Sequence, residues 1–175
     1  EEAVDACAVR VVELALKGAA IPAGSFNPTE HYALAREAAG ASAVLLKHER
    51  NVLPLKRGAH VAVIGAFAKT PRYQGSGSSK VVPLAMDCAL DELVKLGLHA
   101  EYAAGYLEES DASDEALLDE ACDVARGMDA ALLYIGLPDR FESEGFDRDK
   151  LNLPESHIEL VRRIRNGDIA QVQRV

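Results

Sequence analysis

The chain has no tryptophan, and aromatic residues make up only 5% of its 175 residues. A core built on large stacked rings is excluded. The 49% hydrophobic content must come mainly from Ala, Val, Leu and Ile, the residues of helices packed over a parallel sheet. Cysteine is also scarce. Cys7, Cys88 and Cys122 match no zinc or redox spacing, and each lies in a helical, apolar context where a thiol acts as a small buried hydrophobe. An odd, scattered set fits a reducing compartment. Basic residues are outnumbered, 19 Lys and Arg against 28 Asp and Glu, for a net charge of −9. That balance argues against nucleic acid and anionic membranes as partners. No apolar run approaches the roughly 18 residues of a membrane span. Glu1-Glu2-Ala3-Val4 has neither the basic start nor the apolar core of a signal peptide, so the expected location is the cytoplasm. The same start is already helical in character, which reads as a chain cut from something longer.

What is present is a regular alternation of element signals. Val4, Cys7, Ala8, Val11, Val12 and Leu14 recur at helical spacing over residues 3–17. The Ala-, Gly- and Pro-rich stretch 19–28 reads as a linker. A second helix is expected from Glu30 to about Ser42, with Thr29 as its N-cap. His60-Val61-Ala62-Val63-Ile64-Gly65-Ala66 is the clearest strand. It is continuously apolar, so it should be parallel and covered on both faces. A helix over 84–96 follows, with Gly97 at its C′ position, then a strand over 98–103. Next come a helix over 113–127 capped by Ser113, a strand over 130–136, and a helix over 154–165 with Pro154 near its first position. Residues 169–175 could begin a fourth strand. The order implies right-handed crossovers and a mostly parallel sheet between helical layers, an α/β three-layer sandwich.

Two loops follow apolar strands and could carry chemistry. The first is Lys69-Thr70-Pro71-Arg72-Tyr73-Gln74-Gly75-Ser76-Gly77-Ser78-Ser79-Lys80. Its glycines let backbone approach a ligand, its serines offer hydroxyls, and Arg72 and Lys80 bring positive charge. It matches neither standard phosphate-binding glycine pattern, so a phosphate site, another ligand and an unliganded loop all remain open. The second loop runs from Leu137 to Asn152. It is longer than the roughly 2–6 residues usual for a strand-to-helix connection and holds Glu142, Glu144, Asp147 and Arg148. On composition alone, a solvated loop with local salt bridges explains it. In an extended segment Glu142 and Glu144 would point the same way, and such a pair can raise one carboxyl's pKa, as a general acid requires. No His stands at ligand spacing beside them, so no metal and no cofactor is expected. His31, His48, His60, His99 and His157 are dispersed and are expected at the surface or at strand edges.

Taken together, these pieces resemble glycoside hydrolase family 3, the β-glucosidase and β-xylosidase family. The residues that carry the resemblance are the His31–Lys47 stretch, Asn51-Val52-Leu53-Pro54-Leu55, Val61-Ala62-Val63-Ile64-Gly65, Arg72-Tyr73-Gln74-Gly75-Ser76-Gly77-Ser78-Ser79, Glu142-Ser143-Glu144-Gly145-Phe146-Asp147-Arg148 and Leu151-Asn152-Leu153-Pro154. They come in the family's order across residues 29–165.

The resemblance implies a retaining β-glycosidase whose site lies between a barrel domain and a following α/β sandwich. The barrel supplies an Asp nucleophile and the sandwich a general acid/base. Residues 1–18 would be the barrel's terminal helix, 19–28 a linker, and 29–175 a sandwich domain incomplete at its C-terminal end. Glu144 matches the acid/base position, with Glu142 as the fallback. Gly77, Ser78 and Ser79 match the loop that reaches toward the sugar, with Ser78 first. Lys47-His48 is not the family's Lys-His substrate motif, which belongs to the barrel. The implied partners are a β-glucoside or oligosaccharide substrate and the preceding barrel domain. An oligomer is compatible with the open edge that a partial sheet leaves.

The chain alone, lacking a nucleophile, is expected to be inactive, and Glu144 in it should be solvated with an ordinary carboxylate pKa. The competing reading is a non-catalytic, flavodoxin-like module that binds a small ligand through the Gly-Ser loop.

Overall fold

A computed structural model describes residues 1–49, 51–78, 80–145 and 147–167. The expected fourth strand at 169–175 lies outside the described residues. The chain divides into two compact units, Glu1–Leu45 and a second that begins at Leu46. The first holds helices α1 (Glu2–Ala19) and α2 (Pro28–Ser42). Neither buries a residue, so Cys7 is exposed rather than buried as expected. Helix α2 starts earlier than expected. Asn27, not Thr29, is the N-cap, accepting from Thr29 N at 3.1 Å. Pro28 then occupies the first helical position, where its missing N–H costs nothing.

The second unit is an α/β fold. Among its described residues, strands β1 (His60–Ile64), β2 (His99–Ala103) and β3 (Ala130–Leu133) form a parallel sheet in the order β2-β1-β3. The central strand is the most apolar: Val61, Ala62, Val63 and Ile64 are fully buried. Its period-2 alternation sends Ala62 and Ile64 to one face and Val61 and Val63 to the other. The first face packs against Leu118, Ala121 and Ala125 of α4 (Glu115–Ala125) and Leu160 and Ile164 of α5 (Glu155–Asn166). The second packs against Leu90 and Leu93 of α3 (Ala89–Lys95). Three layers result.

Element bounds moved where local chemistry outweighed periodicity. Helix α3 begins at Ala89 rather than near residue 84. Cys88, in an extended conformation, is its N-cap. Its end is as expected: Gly97 N donates to Val94 O at 2.9 Å and Leu98 N to Leu93 O at 3.1 Å, a Schellman motif. Helix α4 is capped by Asp114 rather than Ser113, its carboxylate accepting from Ala116 N at 3.0 Å and Leu117 N at 3.2 Å. A charged acceptor suits the positive end of the helix dipole. Strand β3 stops at Leu133 instead of residue 136 because its partner β1 ends there. At Gly65, with φ +120, a Cβ would stand 2.2 Å from Tyr134 O. Only glycine lets the two strand exits pass so closely.

This topology fixes where a site can form. The connection leaving β1 leads to α3 on one face, and the connection leaving β3 leads to α5 on the other. Right-handed crossovers require α3 and α4 to take opposite faces when strand order reverses, and α5 shares the face of α4. The two loops therefore open a crevice between the carboxyl ends of adjacent strands, where α/β folds hold ligands.

Candidate functional site

The Gly-Ser loop leaves β1 and the carboxylate loop leaves β3, and the two meet at that crevice. Ser78 Oγ donates to the Glu144 carboxylate, 2.7 Å from Oε2 and 2.9 Å from Oε1, and Ser78 N donates to Oε2 at 3.2 Å. Gly77 makes this approach possible. Its φ is +108, and a Cβ there would lie 2.8 Å from Glu144 Cγ and 2.9 Å from Cδ. The two Ser78 donors hold Glu144 below the usual carboxylate range, the hydroxyl contributing most and the backbone N–H next. Glu144 is exposed, so burial does little to oppose them. The ordinary pKa expected for it in the isolated chain is thus corrected to a depressed one.

Glu142 goes elsewhere. The loop is not extended here: it makes a 3₁₀ turn at Asp139–Phe141 and turns again at Glu144 and Gly145, whose φ is +95. Glu142 Oε2 lies 3.5 Å from an Arg72 guanidinium nitrogen. The two glutamates do not form the like-charge pair expected from their spacing. Ser79, the third loop residue singled out from the sequence, lies outside the described residues, as does Phe146 of the carboxylate motif.

Under the crevice, three aromatic rings tie the strand exits together. Tyr106 Oη donates to Tyr134 O at 2.8 Å and accepts from Phe67 N at 3.3 Å. His157 packs against Tyr106 with tilted rings, centroids 3.9 Å apart, and its Nδ1 accepts from Gly136 N at 3.3 Å. The exits of β1 and β3 are therefore held from below by Tyr106, which follows β2, and by α5. His157 is fully buried, contrary to its expected surface placement. Burial, with the Arg140 charge in support, lowers its pKa to about 4. It is the neutral ring, with an unshared pair on Nδ1, that can accept from Gly136. The signal was in the sequence: His157, Leu160 and Ile164 recur at i, i+3 and i+7, one face of a helix. Tyr106 left no comparable signal, because its partners lie 28 and 39 residues away in the chain.

A cavity of about 320 Å³ adjoins the crevice, lined by Phe67, Arg72, Tyr73, Gln74, Lys80, Met86, Pro138 and Asp139 among others. It mixes apolar walls with charge of both signs. Among the described residues no group of three or more His, Cys, Asp or Glu side chains could hold a metal ion. No helix among them is long and apolar enough to cross a membrane.

Residues 43–172 match the glycosyl hydrolase family 3 C-terminal domain. Thermostable β-glucosidase B of Acetivibrio thermocellus is 46% identical over 139 residues, 78% of this chain and 18% of its own length. An exo-α-(1→6)-L-arabinopyranosidase of Bifidobacterium longum is 40% identical over 148 residues, 79% of this chain and 20% of its own. A probable β-D-xylosidase 7 of Arabidopsis thaliana is 34% identical over 159 residues, covering 84% and 20%. Among solved structures, the family 3 β-glucosidase of Bifidobacterium adolescentis superposes with a TM-score of 0.82 at 36% identity, over 94% of this chain and 24% of that one. The chain thus spans about a fifth of the length of the curated relatives it matches.

Proposed function

The chain belongs to glycosyl hydrolase family 3, matching its C-terminal domain, and on that premise we propose that Glu144 is the general acid/base of a retaining β-glycosidase. A preceding barrel domain would supply the Asp nucleophile, with residues 1–18 as its terminal helix, 19–28 as a linker and the rest in the sandwich domain. The observation that carries this reading is the junction of the two loops. Glu144, Ser78 and Gly77 come together at the carboxyl ends of β1 and β3, with the carboxylate exposed. A carboxylate so placed is fixed in direction yet free to face a second domain.

Retaining hydrolysis needs two carboxyls about 5–5.5 Å apart. One attacks the anomeric carbon while the other donates a proton to the leaving oxygen. The donor must hold that proton when substrate binds, so its pKa must be raised. In this chain the Ser78 hydrogen bonds act in the opposite sense. Covering by the barrel would remove water from Glu144, favour the neutral acid and leave Ser78 free to accept a bond from it or to turn to the sugar. The substrate class is a terminal non-reducing β-D-glucosyl or β-xylosyl residue. The similarity to a β-glucosidase and a β-D-xylosidase supports that class.

The test is Glu144→Gln in a full-length protein that carries this chain behind its barrel. Loss of kcat should be large for alkyl β-glucosides, roughly 10²- to 10⁴-fold as for other general acids. It should be much smaller for dinitrophenyl β-glucosides, whose departing oxygen needs little protonation. Equal losses on both would remove the acid/base role.

A further inference from the structure

The two loops are joined by a second set of contacts that does not involve Ser78 or Glu144. Arg72 forms an ion pair with Asp139, and a guanidinium nitrogen of Arg72 lies 3.5 Å from Glu142 Oε2. Lys80 Nζ stands 3.0 Å from the other oxygen of Asp139. Arg72 also donates to Ser76 Oγ at 3.4 Å, bracing its own loop. These cations come from either side of Ser78 in sequence, and both acids precede Glu144. The ionic contacts therefore flank Ser78 in the first loop and tie it to residues just before Glu144 in the second. Arg140, next to Asp139, pairs instead with Asp111 and Glu108 O in the segment after β2.

Isolated surface ion pairs contribute little, but networks anchored on a largely buried arginine are the exception. The Arg72 side chain is only 20% exposed, against 50% for Asp139 and 59% for Glu142. Its planar fork can serve two carboxylates at once, which a lysine cannot reproduce. One consequence follows for Glu144. The long loop after β3 is fixed in register against the loop after β1, which sets where the Glu144 carboxyl points.

We propose that Arg72, with Lys80 sharing Asp139, is a positioning residue for Glu144, holding the carboxylate loop in register with the Gly-Ser loop. This rests on the reading of Glu144 as general acid/base. It also assigns Glu142 to the clamp rather than to proton transfer.

The experiment compares Arg72→Ala, Arg72→Lys, Asp139→Asn, Glu144→Gln and the double variant Arg72→Ala/Glu144→Gln in the full-length protein. Each is assayed on an alkyl and a dinitrophenyl β-glucoside, with thermal melting as a control of folding. Arg72→Ala should lower kcat/KM on the alkyl glucoside roughly 10- to 100-fold, the scale of a misplaced catalytic group, with little change on the dinitrophenyl glucoside. Arg72→Lys should recover part of the loss, and Asp139→Asn should repeat its substrate pattern if Arg72→Ala folds poorly. In the Glu144→Gln background Arg72→Ala should add nothing on the alkyl glucoside, because the clamp acts through Glu144. Equal loss on both substrates, or losses that multiply in the double variant, would overturn the role of Arg72 while leaving Glu144 in place. If Glu144→Gln itself shows no dependence on leaving group, the acid/base reading fails and the clamp loses its target.

Discussion

Ser78 is the residue on which the chemistry of Glu144 turns. It supplies two donors, hydroxyl and backbone N–H, to one carboxylate, and a carboxylate that accepts such bonds keeps its charge to lower pH. Ser78→Ala removes the larger contribution and leaves the backbone bond. The Glu144 pKa should rise toward the ordinary carboxylate value, as read from its side-chain carbon resonance in an NMR pH titration of this chain. An unchanged or lower pKa would contradict the hydrogen-bond explanation. The sign for stability follows from the depressed pKa. The Ser78–Glu144 contact stabilises the fold above the ordinary carboxylate pKa and is lost as pH falls through the lower folded value. Gly77 sets a steric limit on the same contact, since any side chain there would meet Glu144. Sequence pattern singled out Gly77, Ser78 and Glu144 as family positions. That Ser78 bonds Glu144, and that Arg72 takes Glu142, depends on contacts between loops 66 and 70 residues apart, which no local pattern encodes.

At the scale of elements, α5 does two jobs. Leu160 and Ile164 close one face of the sheet, and His157 reaches the exit of β3 through Gly136 N. Its ring is packed among Tyr106, Phe67 and the start of the carboxylate loop. The charges that bear on it are Arg140, which opposes protonation, and Asp111, which favours it. With a folded pKa of about 4 against 6.5 for the free side chain, the unfolded chain binds the extra proton between those values. The contribution of neutral His157 is therefore complete above pH 6.5 and is lost as pH falls toward 4. It amounts to about 3 kcal/mol at most, at 1.36 kcal/mol per unit of pKa difference. Urea unfolding at pH 7.5 and pH 5 should show the native chain losing stability on acidification. His157→Gln, which can still accept from Gly136 but cannot titrate, should flatten that loss. A His157→Gln chain with the same pH dependence would place the acid sensitivity elsewhere. The helices and strands were legible because apolar spacing reports period directly. Their ends were less so: Asp114 and the end of β1 each overrode the periodic signal through a local or partner constraint.

At the scale of the whole molecule, the proposed mechanism needs two carboxylates, of which Glu144 would be one. The chain spans about a fifth of the length of the curated relatives it matches. Its candidate acid/base is exposed and held as a carboxylate rather than as an acid. The purified 175-residue chain should therefore show no hydrolysis of an aryl β-glucoside. Turnover that disappears in Glu144→Gln would refute this and require a second carboxylate within the chain.

The linear chain carried its class openly. Continuous apolar strands between amphipathic helices specify a parallel α/β sheet, because period and burial are local properties of side chains. Short strings such as Glu142-Ser143-Glu144-Gly145 and Gly75-Ser76-Gly77-Ser78 specify the family. Folding decided the rest. Reversal of strand order between β2 and β3 brought the loops after β1 and β3 to one crevice. There Ser78 and Arg72 parted Glu144 from Glu142, giving one carboxylate to the candidate site and the other to the clamp. Charge neutralisation and hydrogen bonding act through space, so groups far apart in sequence acquire their roles only once the sheet has set the distance between them.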